Sequence, residues 1–124
     1  MPLYTVIARE NALSDETKRK MAGEITRIHA TVMKVPPNFV RVVFLSYPQA
    51  SGYAAGVEAP IAAVNCVLRS GHSAAEKKDM LLQLWSMFQN LTGIATGHLA
   101  ISLQEIPSSN AMEMGQIMPA VAQE

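Results

Sequence analysis

The chain repeats itself once, at a fixed interval set by Ser14 and Ser73, and that repeat limits what it can fold into. Ser14-Asp15-Glu16-Thr17-Lys18-Arg19-Lys20-Met21 lies against Ser73-Ala74-Ala75-Glu76-Lys77-Lys78-Asp79-Met80, with serine, lysine and methionine in matching places. Each serine suits a helix N-cap, where its hydroxyl accepts a hydrogen bond from an otherwise unpaired backbone N–H. Glu76 completes a capping box with Ser73, and Asp15 and Glu16 put negative charge at the positive end of the first helix. Met21, Ile25, Ile28 and Val32 form one apolar helical stripe, and Leu81, Leu84, Phe88 and Leu91 form the second, with Gly93 as its stop.

Apolar strand-like runs flank both helices. Leu3 to Ala8 precedes the first and Val40 to Leu45 follows it, and Ala62 to Leu68 and Leu99 to Leu103 are their counterparts. Each half therefore reads β-α-β, and a helical crossover of that length makes the paired strands parallel. The expected fold is α+β in class, built from α/β-type units. Two tandem β-α-β repeats form a four-stranded sheet with both helices on one face. The reading is a single domain, 1–124: repeat one 2–47, a turn-rich linker 48–60 with Gly52 and Gly56, repeat two 61–107, and a tail 108–124 of little periodicity. The other sheet face stays uncovered although it is apolar, with Val6, Val42, Val64 and Val67 as candidates. An uncovered apolar face needs a partner, which predicts sheets packed in a homotrimer.

Composition points the same way, because only 16% of residues are charged, against roughly 25% in an average soluble domain. Ten basic residues balance ten acidic ones, which argues against a nucleic-acid partner or a polybasic membrane surface. No apolar run approaches the length of a membrane span, and Met1-Pro2-Leu3-Tyr4 lacks the pattern of a signal peptide. Cys66 is the one cysteine, so no intrachain disulfide forms, and a cytoplasmic location is expected. His29, His72 and His98 share no metal-ligand spacing, and no glycine-rich loop fits a nucleotide fingerprint. The expectation is chemistry without cofactor or metal.

The residue that begins to suggest chemistry is Pro2, directly after the initiator methionine. Trimming of Met1 leaves a proline with a free secondary amine, of reference pKa about 8. Burial or a nearby cation lowers that value and makes a general base usable at neutral pH. Met-Pro at the amino terminus, a β-α-β unit that occurs twice, Ser14-Asp15-Glu16 and Val40-Arg41-Val42-Val43 together resemble the tautomerase superfamily. Leu68-Arg69-Ser70-Gly71, Glu105-Ile106-Pro107-Ser108-Ser109-Asn110 and Glu113-Met114-Gly115 are most similar to its fused-repeat members, typified by cis-3-chloroacrylic acid dehalogenase.

That resemblance implies a role for each matching residue. Pro2 is the proton carrier, a base in tautomerases and an acid in the hydrating dehalogenases. Arg69 clamps the substrate carboxylate, a task suited to a planar guanidinium. His29 helps hold the carboxylate or polarise a carbonyl, and Glu113 activates water. Arg41 matches an arginine that, in the small 4-oxalocrotonate tautomerases, reaches the substrate of a neighbouring subunit. Two positions depart from the dehalogenase pattern: His72 replaces a second arginine, and Ser102 stands in place of a tyrosine. Both are retained as substrate-binding candidates, and both replacements disfavour hydration. The leading expectation is a cofactor-independent tautomerase of a small 2-oxo (enol) acid. A hydratase or cis-3-haloacrylate dehalogenase, decarboxylating or not, is the alternative, and a non-catalytic cytokine-like binding protein is the third.

Overall fold

In the computed structural model, which describes residues 2–120, β1 (Leu3–Arg9) leads into α1 (Asp15–Met33) and β2 (Arg41–Tyr47). A short hairpin follows, β3 (Tyr53–Ala54) and β4 (Val57–Glu58). The second half repeats the plan with β5 (Ala62–Arg69), α2 (Ala74–Thr92), β6 (Leu99–Ile106) and the hairpin β7 (Met112–Glu113) and β8 (Gln116–Ile117). Met1 and the final residues of the tail, 121–124, lie outside the described residues, and so does any trimming of Met1.

The four long strands form one mixed sheet in the order β2-β1-β5-β6. β1 pairs parallel with β2 and β5 parallel with β6, as right-handed crossovers require, while the central β1–β5 pair is antiparallel. Both helices start where expected. The Ser14 hydroxyl accepts from the Thr17 N–H at 3.1 Å, and Ser73 and Glu76 exchange both capping-box bonds. Met21, Ile25 and Ile28 of α1 and Met80, Leu84 and Phe88 of α2 pack on Tyr4, Val6, Val64, Cys66 and Leu68. Full burial of such a side chain contributes about 1.5–3 kcal/mol. Among the described residues no helix is long and apolar enough to cross a membrane.

Two expectations change. The linker and the tail are not featureless, because each carries a short hairpin, the second standing to the first as Ser73 stands to Ser14. Ala55-Gly56 and Met114-Gly115 occupy the loops with φ of 51° and 80° in one and 52° and 76° in the other. Two successive positive φ values match the right-handed twist of the flanking strands. The uncovered sheet face is also composed differently. Strand alternation puts Val6, Val42 and Val64 under the helices, and of the four candidates only Val67 lies on the open side. The open face instead presents Leu3, Ile7, Val43 and Leu45, the last 52% exposed. The two halves also differ by one residue in connection length: five residues separate β1 from α1, and four separate β5 from α2. The helix interval, Ser14 to Ser73, is therefore one residue shorter than the interval between equivalent buried positions of the first strands, Tyr4 to Val64. A shift of one reverses a strand's faces.

Candidate active site

Pro2 immediately precedes β1, its side chain fully buried. By alternation it shares the helix-side face with Tyr4, one strand repeat of about 7 Å away. Its carbonyl accepts the Arg41 N–H at 3.1 Å, so the start of β2 is fastened beside it. On the other side the antiparallel register, which pairs Leu3 with Val67, carries β5 past Pro2 to end at Arg69. The proline thus stands at a sheet end between two arginine-bearing strand ends.

Arg69 Nη1 donates to the Pro119 carbonyl, so the C-terminal segment returns to this same end. Half-buried His72 follows in the turn before α2, and Lys77 and Glu105 pair at 2.6 Å. His72 is held below its ordinary pKa, mainly by burial; Glu76 and Glu105 oppose the shift, while Arg69 and Lys77 add to it. Those influences place His72 among the charged groups of this sheet end.

Beneath Pro2 lies a buried polar pair. His29, 1% exposed on the sheet-facing side of α1, meets Tyr4 with Nδ1 2.6 Å from the phenol oxygen and the rings edge to face at 88°. Burial, with repulsion from His72 behind it, pushes the His29 imidazole down to about 4. Burial likewise raises the Tyr4 phenol and pushes the Cys66 thiol, its cross-strand neighbour, up to about 12. All three are neutral at pH 7. A neutral phenol can bond a neutral imidazole nitrogen only by donating to Nδ1 or by accepting from it.

Glu113 comes from the second hairpin. Its two carboxylate oxygens are buried, and it lines a cavity of about 170 Å³ with Phe39, Arg41 and Met114. The Arg41 guanidinium leans on the carbonyls of Asn38 and Val40. Sequence reasoning thus named residues that the fold gathers at one sheet end: Pro2, Arg41, Arg69, His72 and Glu113, with His29 below. Ser102 is not among them. It sits in mid-β6 on the open face, bonded to Asn65 at 3.0 Å and four rows from the Arg69 pairing, about 13 Å along the strand. Tyr4 and Phe39 were missed. For Tyr4 a signal existed, since a tyrosine buried in a strand needs a partner for its hydroxyl.

A groove of about 710 Å³ runs between α1 and α2 past Arg19, Arg27, Leu82 and Asn90 and includes none of these residues. Size alone misleads here, because the chemistry-bearing side chains converge elsewhere. Among the described residues no three His, Cys, Asp or Glu side chains are grouped to hold a metal ion.

Comparison with known proteins agrees with this fold. The tautomerase family described as "Putative oxalocrotonate tautomerase enzyme" matches residues 1–124. Among solved structures, N1, a member of the cis-3-chloroacrylic acid dehalogenase family, is 27% identical with a TM-score of 0.91, over 96% of this chain and 85% of that one. Pt0534 inactivated by 2-oxo-3-pentynoate is 21% identical with a TM-score of 0.86, over 94% of both chains. The F6 fused 4-OT, a wild-type asymmetric trimer, is 18% identical with a TM-score of 0.85, over 93% of this chain and 94% of that one. The last two show likeness of fold alone. No curated protein matches the sequence.

Proposed function

The chain belongs to this tautomerase family, and from that premise we propose that it is a cofactor-independent enzyme moving a proton between carbon and oxygen of a small 2-oxo acid, with Pro2 as the base. The observation that carries the reading is the position of Pro2, buried at a sheet end with Arg41 fastened on one side and Arg69 ending the strand on the other. Once Met1 is removed, the proline nitrogen is a secondary amine. Burial disfavours its protonated form, which favours a free base at neutral pH.

The substrate carboxylate pairs with Arg69, whose guanidinium keeps further donors besides the one given to Pro119. The amine nitrogen takes a proton from the carbon next to the carbonyl. The released electron pair forms a carbon–carbon double bond, and charge moves onto the carbonyl oxygen. The proline ammonium then delivers the proton to that oxygen, giving the enol, and the same steps in reverse convert enol to ketone. His29, neutral at pH 7, serves as a hydrogen-bond donor to the carbonyl oxygen and not as a cation for the carboxylate. His72 in its neutral form adds a polar wall without a second permanent charge. Assembly through the open face, which carries Leu3, Ile7, Val43 and Leu45, completes the reading as a homotrimer. In it Arg41, also on that face, borders the cavity of Glu113.

One observation favours a second activity, addition of water to an unsaturated three-carbon acid. Glu113, its carboxylate oxygens buried, borders a cavity of about 170 Å³, room for several waters at about 30 Å³ each.

The test combines intact mass, to establish loss of Met1, with turnover of phenylenolpyruvate and of cis-3-haloacrylate. Pro2→Ala is expected to lower tautomerisation by a factor on the order of 10²–10⁴. Full activity of Pro2→Ala would refute the proline base. Glu113→Gln is expected to abolish any hydration and spare tautomerisation.

A further inference from the structure

The buried pair below Pro2 has a use in this chemistry. We propose that Tyr4 is a positioning residue: its hydroxyl donates to Nδ1 of His29, holds the imidazole in place, and leaves Nε2–H as the only ring group offered to the substrate oxygen. This rests on the reading of Pro2 and His29 given above.

The geometry supports one direction for the bond. The Tyr4 oxygen lies 2.6 Å from Nδ1, short even for an O–H donor, and the two rings meet edge to face. Tyr4 is itself fully buried and cannot swing to solvent. Its ring stands on the strand that begins at Pro2 and on the same face, so the strand that delivers the base also sets the histidine. The other groups around the pair come from each packed element. Cys66 on β5 is a weak acceptor and donor, and His72 in the turn before α2 is repulsive toward a charged His29. Neither rivals the phenol as a partner for Nδ1. The opposite tautomer would put Nδ1–H on the phenol oxygen and turn Nε2 into an acceptor. An acceptor repels the oxygen on which enolate charge gathers, whereas a donor fixed in advance stabilises it without reorganisation. A tautomer set by the partner of the far nitrogen is the general means of aiming a histidine.

Nitrogen-15 imidazole spectra of the intact wild-type protein at pH 7, with His29 identified by its loss in His29→Gln, read the tautomer without reference to activity. The expected signature is a protonated Nε2 with an unprotonated, hydrogen-bonded Nδ1. In Tyr4→Phe that Nδ1 signal should move toward the unbonded position, kcat on phenylenolpyruvate should fall about tenfold, and KM should stay within about threefold. Tyr4→Phe added to His29→Gln should cost nothing further. A wild-type Nδ1–H tautomer overturns the proposal, and so does an unchanged kcat in folded Tyr4→Phe. If Tyr4→Phe does not fold, the wild-type spectrum decides alone. Full activity in Pro2→Ala overturns the proline base, a separate failure, because the spectra report on Tyr4 and His29 whatever the base is.

Discussion

The neutral, buried His29 makes the stability of this protein depend on pH in a calculable way. In the unfolded chain a histidine titrates near 6.5, whereas burial holds His29 down to about 4 in the fold. Between those values the unfolded state binds a proton that the folded state refuses, so stability rises with pH across that interval. The contribution is whole above pH 6.5, is lost progressively as pH falls toward 4, and is constant below. A difference of about 2.5 pKa units corresponds to about 3 kcal/mol, of which about 2 kcal/mol is already gone at pH 5. His72 is lowered as well and adds loss of the same sign, and Glu24 and Glu76, lowered by their partners, act only at the acid end. The informative quantity is therefore the difference between wild type and His29→Gln. The two proteins are compared by urea unfolding at fixed protein concentration, from pH 7.5 down to 4.5. Wild type should lose about 2 kcal/mol more than the variant over that range. Parallel losses in both proteins would refute a neutral buried His29, and with it the donor role assigned to this residue.

Two further perturbations test the assembly and the first hairpin. Leu45→Lys places a charge on the open sheet face and should shift the sedimenting species from trimer to monomer at micromolar concentration. Leu82→Lys, on the exposed side of α2, should leave it unchanged, and identical sedimentation of Leu45→Lys and wild type would remove the open face as the interface. At Gly52 an added Cβ would lie 2.6 Å from the Tyr47 ring, whose hydroxyl bonds the Ile61 carbonyl. Gly52→Ala should therefore cost about 1–2 kcal/mol in urea unfolding as that bond is lost, while Gly97→Ala, with open space around it, should be close to neutral.

Much of the architecture was legible in the chain because it is specified locally. N-cap serines, a capping box and apolar stripes act within one or two turns, so the positions of α1 and α2 followed from Ser14, Ser73 and the residues after them. Pro2, Arg69 and Glu113 were legible through short motifs, each near a strand end or tight turn. The two hairpins were not read from the sequence, because neither segment has the alternation that identifies a longer strand, although Gly56 and Gly115 keep the same interval as Ser14 and Ser73.

What the tertiary structure alone decided depends on contacts between distant residues. Which face of each strand meets the helices was decided by packing, which buries Val6 and Val64 and exposes Leu45. Ser102 left the site because β6 carries it to mid-sheet beside Asn65, 37 residues away. Tyr4 joined His29 across 25 residues, and Arg69 met Pro119 across 50. No local pattern encodes such partners. They are selected when the apolar face of each element is buried, and the register that buries most also determines which polar groups are left to find one another.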